Sequence, residues 1–276
     1  MDSCFIAARA PLQEAALVLF GAPLDVTTCF RKGTARGPGR IREVSHVLEE
    51  YSPDLDADLR DLYLHDAGDL ALPEDPAAAV AFIEQWVASL GRGQVPVMLG
   101  GEHLVTLGAV RALAARHPGL AVLQLDAHAD LRDGYQGQPL SHATVMRRVA
   151  EAIPPRSLHQ LGVRSASREE MAYAAEHTHL WPGRLGPSLA AVLEATGDRP
   201  VYLTVDIDVA DPAFAPGTGT PEPGGASAAE LLEAVRALRG RRVVGLDVVE
   251  VAPDPGDLAA VLAAKLVREA LLAIGG

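Results

Sequence analysis

Apolar residues along this chain fall into short, β-branched runs separated by longer Ala/Leu/Arg-rich stretches of helical pattern. Short apolar runs bounded by turn residues predict buried strands, and the longer amphipathic stretches predict helices. Strands are predicted at 16–20, 62–65, 95–99, 120–125, 158–163, 201–205 and 243–248. Helices are predicted at 35–49, 76–90, 104–116, 143–151, 168–177, 187–195, 227–238 and 257–274. Ser227 precedes one of these runs with Glu230 three residues on, the spacing of a capping box. Pro76 and Pro187 suit first-turn positions.

Strand–helix alternation over the whole length predicts a mostly parallel sheet covered on both faces, a three-layer αβα architecture of about eight strands. No linker, charge block or repeat divides the sequence, so a single domain over 1–276 is expected. Trp86 is assigned to the core. Gly and Pro concentrate in one long segment, 211–225, and a structureless loop of that length inside a compact domain is usually functional.

Composition narrows the classes. With 276 residues, 49% of them hydrophobic, the chain can bury one large α/β core. A net charge of -12 with a pI near 5.2, and no basic patch, argues against a nucleic-acid partner. Cys4 and Cys29 show no metal-ligand spacing and make no disulfide framework. The first residues, Met1 to Cys4, lack a basic segment leading into an apolar run. No stretch approaches the roughly 20 apolar residues of a membrane span. A soluble protein of the reducing cytoplasm is expected.

Chemistry enters at strand ends, outside which open α/β sheets bind their ligands. The run 97–99 leads into Gly100-Gly101-Glu102-His103, and 123–125 leads into Asp126-Ala127-His128-Ala129-Asp130. The run 202–205 leads into Asp206-Ile207-Asp208, and a fourth strand ends at Asp247 and Glu250. Residues two apart on an extended chain share a side, so Asp126, His128 and Asp130 can aim at one place. Asp206 and Asp208 repeat the device. Carboxylates gathered at one locus cannot all stay ionised without compensation. Two divalent cations would neutralise them, with His103 and His128 as nitrogen ligands and Asp126 and Asp206 as the natural bridges. An oxygen-rich set without thiolates favours Mn²⁺, two ions per chain, over structural zinc. Other polar groups carry less. His65, Asp66 and Asp69 are read as a structural loop. His177 and His179 are placed at an exposed helix end near Trp181, and His46, His117 and His159 have no evident partners.

Taken together, GGEHLVTLG at 100–108, LDAHADLRD at 125–133, SHAT at 141–144, VDIDVADPAFAPGTGTPEPGG at 205–225 and LDVVEVAP at 246–253 resemble the ureohydrolase family of arginases and agmatinases. GTARGPGRIR at 33–42 looks like that family's early loop and helix, and the wording is nearest to agmatinases. The resemblance implies one metal on His103, Asp126, Asp130 and Asp206 and another on Asp126, His128, Asp206 and Asp208. It implies a proton-shuttling role for His142, guanidinium binding by Glu250, and a site-lining role for Thr220. The implied reaction is hydrolysis of a guanidino group to urea and an amine. Asp130 would pass a proton to the leaving amine and His142 would relay protons to solvent.

Arginases anchor the amino-acid end of arginine partly through an asparagine just after this motif. Arg132 stands there, which turns the expectation to a decarboxylated substrate, agmatine or aminopropylagmatine, yielding an amine such as putrescine. Asp133 or an acid of the 211–225 loop is a candidate for the substrate amine. Alternatives are arginase, guanidinobutyrase, guanidinopropionase or formiminoglutamase activity, a one-metal deacetylase of the same fold, and a non-catalytic metal-binding homologue. The family also implies homo-oligomers, trimers or hexamers.

Overall fold

The computed structural model describes residues 4–181, 185–253 and 255–276. Met1 to Ser3, on which the reading of the N-terminus partly rests, lie outside the described residues. Eight strands form one sheet: β1 (Leu17–Ala22), β4 (Leu64–Asp69), β5 (Val95–Gly100), β6 (Ala121–Leu125), β7 (Leu158–Leu161), β8 (His179–Trp181), β9 (Val201–Asp206) and β10 (Val243–Val249). Their spatial order is β4-β1-β5-β10-β9-β6-β7-β8, and every neighbouring pair is parallel. A small antiparallel pair, β2 (Tyr51–Ser52) and β3 (Ala57–Asp58), lies outside it.

Among the described residues, eight α-helices cover the sheet. They are α1 (Gly37–Ser45), α2 (Pro76–Ser89), α3 (Thr106–Arg116), α4 (Val145–Ala152), α5 (Arg168–His177), α6 (Leu185–Thr196), α7 (Ala228–Arg236) and α8 (Leu258–Gly275). Alternate strand residues feed two cores, because successive side chains leave a strand on opposite faces. Leu19, Val97, Leu123, Leu203 and Leu246 pack with Ile41 of α1, Val192 of α6, Leu231 of α7 and Val267 of α8. Phe20, Met98, Val122 and Tyr202 pack on the other face with Ile83 of α2, Val110 of α3, Val149 of α4 and Ala174 of α5. This is the three-layer αβα arrangement expected from the alternation.

Most elements sit within a few residues of their predicted places. The capping box at Ser227 forms, with Glu230 N–H donating to Ser227 Oγ and Ser227 N–H donating to Glu230 Oε2. Pro76 opens α2, while Pro187 is the third residue of α6. Trp86 is partly buried, its ring 4.2 Å from that of Phe20. The stretch 35–49 divides into a 3₁₀ turn at Thr34–Arg36 and the nine-residue α1.

Three readings are corrected. The residues expected to flank an exposed helix end include the three-residue edge strand β8, too short and too polar to give a pattern. On it His179 stacks on His159 at 5.0 Å, and Trp181 Nε1–H donates to His159 Nδ1 at 3.2 Å, so His159 is buried and partnered. Asp66 and Asp69 belong to β4 rather than to a loop, and their role is structural. Asp66 takes Arg42 Nε–H and Nη2–H at 2.8 and 3.0 Å, and Asp69 takes Arg42 Nη1–H.

Candidate metal centre and active site

The strands that carry chemistry are scattered in the sequence but adjacent in the sheet, in the order β5-β10-β9-β6. Their register brings Leu99, Val248, Val205 and Leu125 level with one another. The next residues along β9 and β6 are Asp206 and Asp126, which therefore leave the sheet side by side. The chain then turns, and the turns do the remaining aiming. Asp206 Oδ1 accepts the Asp208 N–H at 2.8 Å, closing a 3₁₀ turn at Ile207–Val209. Asp126 Oδ1 accepts the His128 N–H at 2.6 Å. Asp130 has φ 54° and Glu250 φ 63°, left-handed conformations that non-glycine residues rarely hold and that cluster at functional sites. The convergence of Asp126, His128 and Asp130 thus comes from a tightly turned chain, not from the extended geometry inferred from the spacing.

His103 Nδ1 lies 3.1 Å from Asp126 Oδ2, 3.2 Å from Asp130 Oδ2 and 3.4 Å from Asp206 Oδ2. His128 Nδ1 lies 2.9 Å from Asp208 Oδ2 and 3.7 Å from Asp126 Oδ1. Ligand atoms of His103, Asp126 and Asp206 are mutually within 4.8 Å, and so are those of Asp126, His128 and Asp208. Two potential cation sites therefore share Asp126. His103 Nδ1 is buried with no hydrogen-bond partner, although it faces three carboxylates. An imidazole lone pair aimed into a carboxylate nest is what a divalent cation takes up, and the donor set fits one.

The electrostatics agree. Burial, with Asp130 and Asp208 nearby, raises the Asp126 carboxyl to about 7. Burial and the charges of Asp208 and Asp126 push Asp206 well above the carboxylate range. Burial opposes charge on His103, yet Asp126, Asp130 and Asp206 hold it well above the usual imidazole value. Burial likewise opposes charge on His128, but Asp208 and its neighbours raise it to about 11. Protons fill in where the positive charge of a metal is called for.

Buried polar groups fix these ligands. His103 Nε2 is 2.9 Å from Thr204 Oγ1, and Tyr202 and Thr106 hydroxyls donate to the neighbouring Asp247 at 2.6 and 2.9 Å. Gln124 Nε2 donates to Asp126 Oδ2 at 2.6 Å, and Gln160 Nε2 donates to Gln124 Oε1 at 2.7 Å. Gly101 allows the His103 turn: a Cβ there would lie 2.0 Å from the Leu24 carbonyl oxygen. Arg164 pins the long 211–225 loop, donating to Asp208 O at 2.7 Å and Glu222 O at 2.6 Å.

A cavity of about 320 Å³ opens onto this cluster, lined in part by His128, Asp130, His142, Asp206, Thr220 and Glu250. Thr220 Oγ1–H donates to Asp208 Oδ2 at 3.4 Å. Glu250 Oε1 accepts the His103 N–H at 2.8 Å, and burial with Glu102 nearby pushes its carboxyl well up. All nine site residues picked out in the sequence are gathered here. Asp133 and Asp211 do not line the cavity: Asp133 pairs with Arg148 and Arg147, and Asp211 accepts the N–H groups of Ala213, Gly224 and Gly225. The outer wall is instead Cys29, Arg132, Tyr135, Ser165, Ser167 and Glu170. Within it Glu170 accepts the Leu131 and Ser167 N–H groups, and Arg132 Nε lies 3.7 Å from Glu170 Oε2. Apart from Arg132 and the capping-box spacing of Ser167 and Glu170, these residues carry no motif signal, and only the fold brings 165–170 and Cys29 to the rim.

The adjacent strand ends of this parallel αβα sheet thus present two histidine–carboxylate clusters able to hold metal ions, beside the buried Glu250. Residues 15–273 match the family described as the arginase family, and the chain belongs to it. It is 46% identical over 275 residues to an agmatinase of Bacillus subtilis (strain 168), covering 97% of this chain and 95% of that protein. It is 37% identical over 262 residues to the N(1)-aminopropylagmatine ureohydrolase of Thermococcus kodakarensis, covering 92% and 89% of the two chains. The agmatine ureohydrolase of Thermoplasma volcanium superposes with a TM-score of 0.90 at 32% identity, covering 99% of this chain and 94% of that one. Among the described residues no helix is long and apolar enough to cross a membrane.

Proposed function

We propose that this chain, as a single ureohydrolase domain, hydrolyses the guanidino group of agmatine or a close derivative such as aminopropylagmatine, giving urea and an amine such as putrescine. The observation that carries this reading is the buried Glu250 carboxylate at the rim of two histidine–carboxylate clusters that share Asp126. His103, Asp126, Asp130 and Asp206 would hold one Mn²⁺, and Asp126, His128, Asp206 and Asp208 the other. The bound pair supplies Lewis acidity, lowering the pKa of water and stabilising charge at the attacked carbon.

The protein's own groups do the rest. Glu250 keeps one oxygen on the His103 N–H and retains acceptor capacity on both for the planar donor array of a guanidinium. That cation compensates a carboxylate that burial otherwise disfavours. Asp130, 3.2 Å from His103 and lining the cavity, carries a proton to the departing nitrogen. His142 exchanges protons between that point and solvent, and burial holds its pKa below the usual imidazole value, so that it starts neutral. Thr220 also lines the cavity. The resemblance also supports a homo-oligomer, trimeric or hexameric, in the cytoplasm.

Arg132 on the cavity wall gives a second reading, a guanidine with a carboxylate tail such as guanidinobutyrate. Urea release by the Mn²⁺-loaded protein from agmatine, aminopropylagmatine, arginine, guanidinobutyrate and guanidinopropionate, side by side, separates the two. Preference for agmatine or its aminopropyl derivative, with little release from arginine, is expected. Preference for guanidinobutyrate makes Arg132 the anchor. No release from a protein holding two metals per chain sinks the urea-forming assignment and points to formimino or acetylated substrates.

A further inference from the structure

Glu102 is a fully buried carboxylate that the reaction as described does not use. It accepts the Val26 N–H at 3.2 Å, the Thr27 N–H at 2.9 Å and the Thr27 hydroxyl at 2.5 Å. The two N–H groups can only donate and the ionised carboxylate can only accept, so the single hydroxyl proton of Thr27 points at it. Thr27 Oγ1 can then only accept from other neighbours. It accepts the His142 N–H at 3.1 Å, and His142 Nδ1 lies 3.2 Å away. An acceptor oxygen facing Nδ1 requires the proton of neutral His142 to sit on Nδ1. Nε2 is left with its lone pair, on a ring that lines the cavity with Asp130 and Glu250. Tyr135 packs edge-on against the same ring at 5.5 Å.

We infer that Glu102, acting through Thr27, is a positioning pair that fixes both the ring and the tautomer of His142, presenting Nε2 as the proton-carrying atom. Neither residue touches substrate. The logic is that of a carboxylate orienting a histidine with a hydroxyl interposed: tautomer and direction are set by the bond made on the far nitrogen. Thr27 is 75 residues from Glu102 and 115 from His142, so no local motif reports the arrangement. The inference rests on the proposed proton-carrying role of His142, and the test separates the two.

Thr27 is the cleaner handle, because Glu102 adjoins His103. Thr27→Val keeps the shape and removes the hydroxyl. On the Mn²⁺-loaded protein it is expected to lower kcat for the best guanidine of the panel roughly 10–100-fold, the cost usual for losing an orienting partner, with KM within about twofold. Bound metal should stay at two ions per chain. Thr27→Ser, which restores the hydroxyl, should return kcat to within about threefold. In a His142→Asn background Thr27→Val should do nothing more, since residues acting as one unit are not additive. An unchanged kcat in Thr27→Val, with His142→Asn impaired, overturns the positioning role alone. So does an equal loss from Thr27→Val with and without His142. Full activity in His142→Asn overturns the proton-carrying role and the inference with it.

Discussion

On β4 Asp66 is buried against Arg42, whose guanidinium also reaches Asp69, while across the sheet Asp126, Asp206 and Asp208 are buried with two imidazoles and one another. Among the described residues no lysine or arginine forms an ion pair with these three or with Asp130. Glu269 follows the first pattern, its carboxylate meeting Arg236, Arg268 and Ser52. A guanidinium matches a carboxylate two bonds at a time and cannot leave, so the charge is settled within the chain. The cluster at the strand ends lacks any such resident cation. Both sets are buried carboxylates on one scaffold, and among the described residues only the first is matched by guanidinium partners, while the second is arranged so that it could hold metal ions.

The sharpest way to break the comparison is to remove a shared carboxylate. Asp126→Asn should lower urea release to background and metal content below two per chain, measured by elemental analysis of the purified protein. Glu250→Gln should separate catalysis from metal binding. Its kcat/KM should fall roughly 10²–10³-fold, the scale of about 3–4 kcal/mol for one lost partner of a buried charge pair, with two metals retained. Loss of metal from this variant would show that Glu250 is not a substrate carboxylate.

Arg42→Met tests the other half. Removing the cation leaves Asp66 buried and uncompensated, and unfolding free energy should drop by about 3–5 kcal/mol in chemical denaturation. The double change Arg42→Met with Asp66→Leu should recover much of it, because an apolar pair replaces the ion pair without an orphaned charge. Neither should alter the number of metals bound. A metal count that changed with Arg42 would mean that the two charge systems are not independent.

Proton linkage sharpens the contrast further. In chelator-treated protein the folded cluster holds protons on Asp126, Asp206, His103 and His128 that the unfolded chain releases at lower pH. Raised values on both acids and bases give the same sign: the folded state binds more protons, so stability falls as pH rises. Asp126 contributes as pH climbs from the ordinary carboxylate range to about 7, and His128 from the imidazole range to about 11. Added Mn²⁺ displaces those protons and should flatten the slope. Thermal melts of the chelated and reloaded protein between pH 6 and 9 read this directly, and a slope that persists after reloading would contradict it.

The fold was legible because doubly buried parallel strands read as unbroken apolar runs, and helices between them announce themselves through caps such as Ser227. The three-residue β8 escaped because His179 and Trp181 give no alternation to read. The cluster was legible because each strand end carries its ligands within five residues, so sequence proximity stood in for proximity in space. The strand order that makes those ends adjacent is not written in any one segment. Nor is the outer wall, where Ser165 and Ser167 arrive from the loop after β7, Glu170 from the first turn of α5 and Cys29 from the loop after β1. The Glu102–Thr27–His142 contacts join segments 75 and 115 residues apart, so no local pattern reports them.

The smallest expected effect falls on Asp133, the residue nearest the metal motif that sequence alone offers as a partner for the substrate amine. Its side chain is 74% exposed and lies 2.8 Å from Arg148 Nη2 and 3.2 Å from Arg147 Nε. The Arg148 hydrogen bond and the Arg147 charge hold its carboxyl below the usual range. A solvated carboxylate already shared by two guanidiniums has little left to offer an ammonium, and surface pairs of this kind contribute little to stability. Asp133→Asn should therefore leave Tm without a measurable shift and the KM for agmatine within about twofold. A KM that rose by an order of magnitude, with kcat intact, would mean that the loop bearing Asp133 folds over bound substrate and that the cavity wall at Arg132 and Glu170 is only part of the recognition surface.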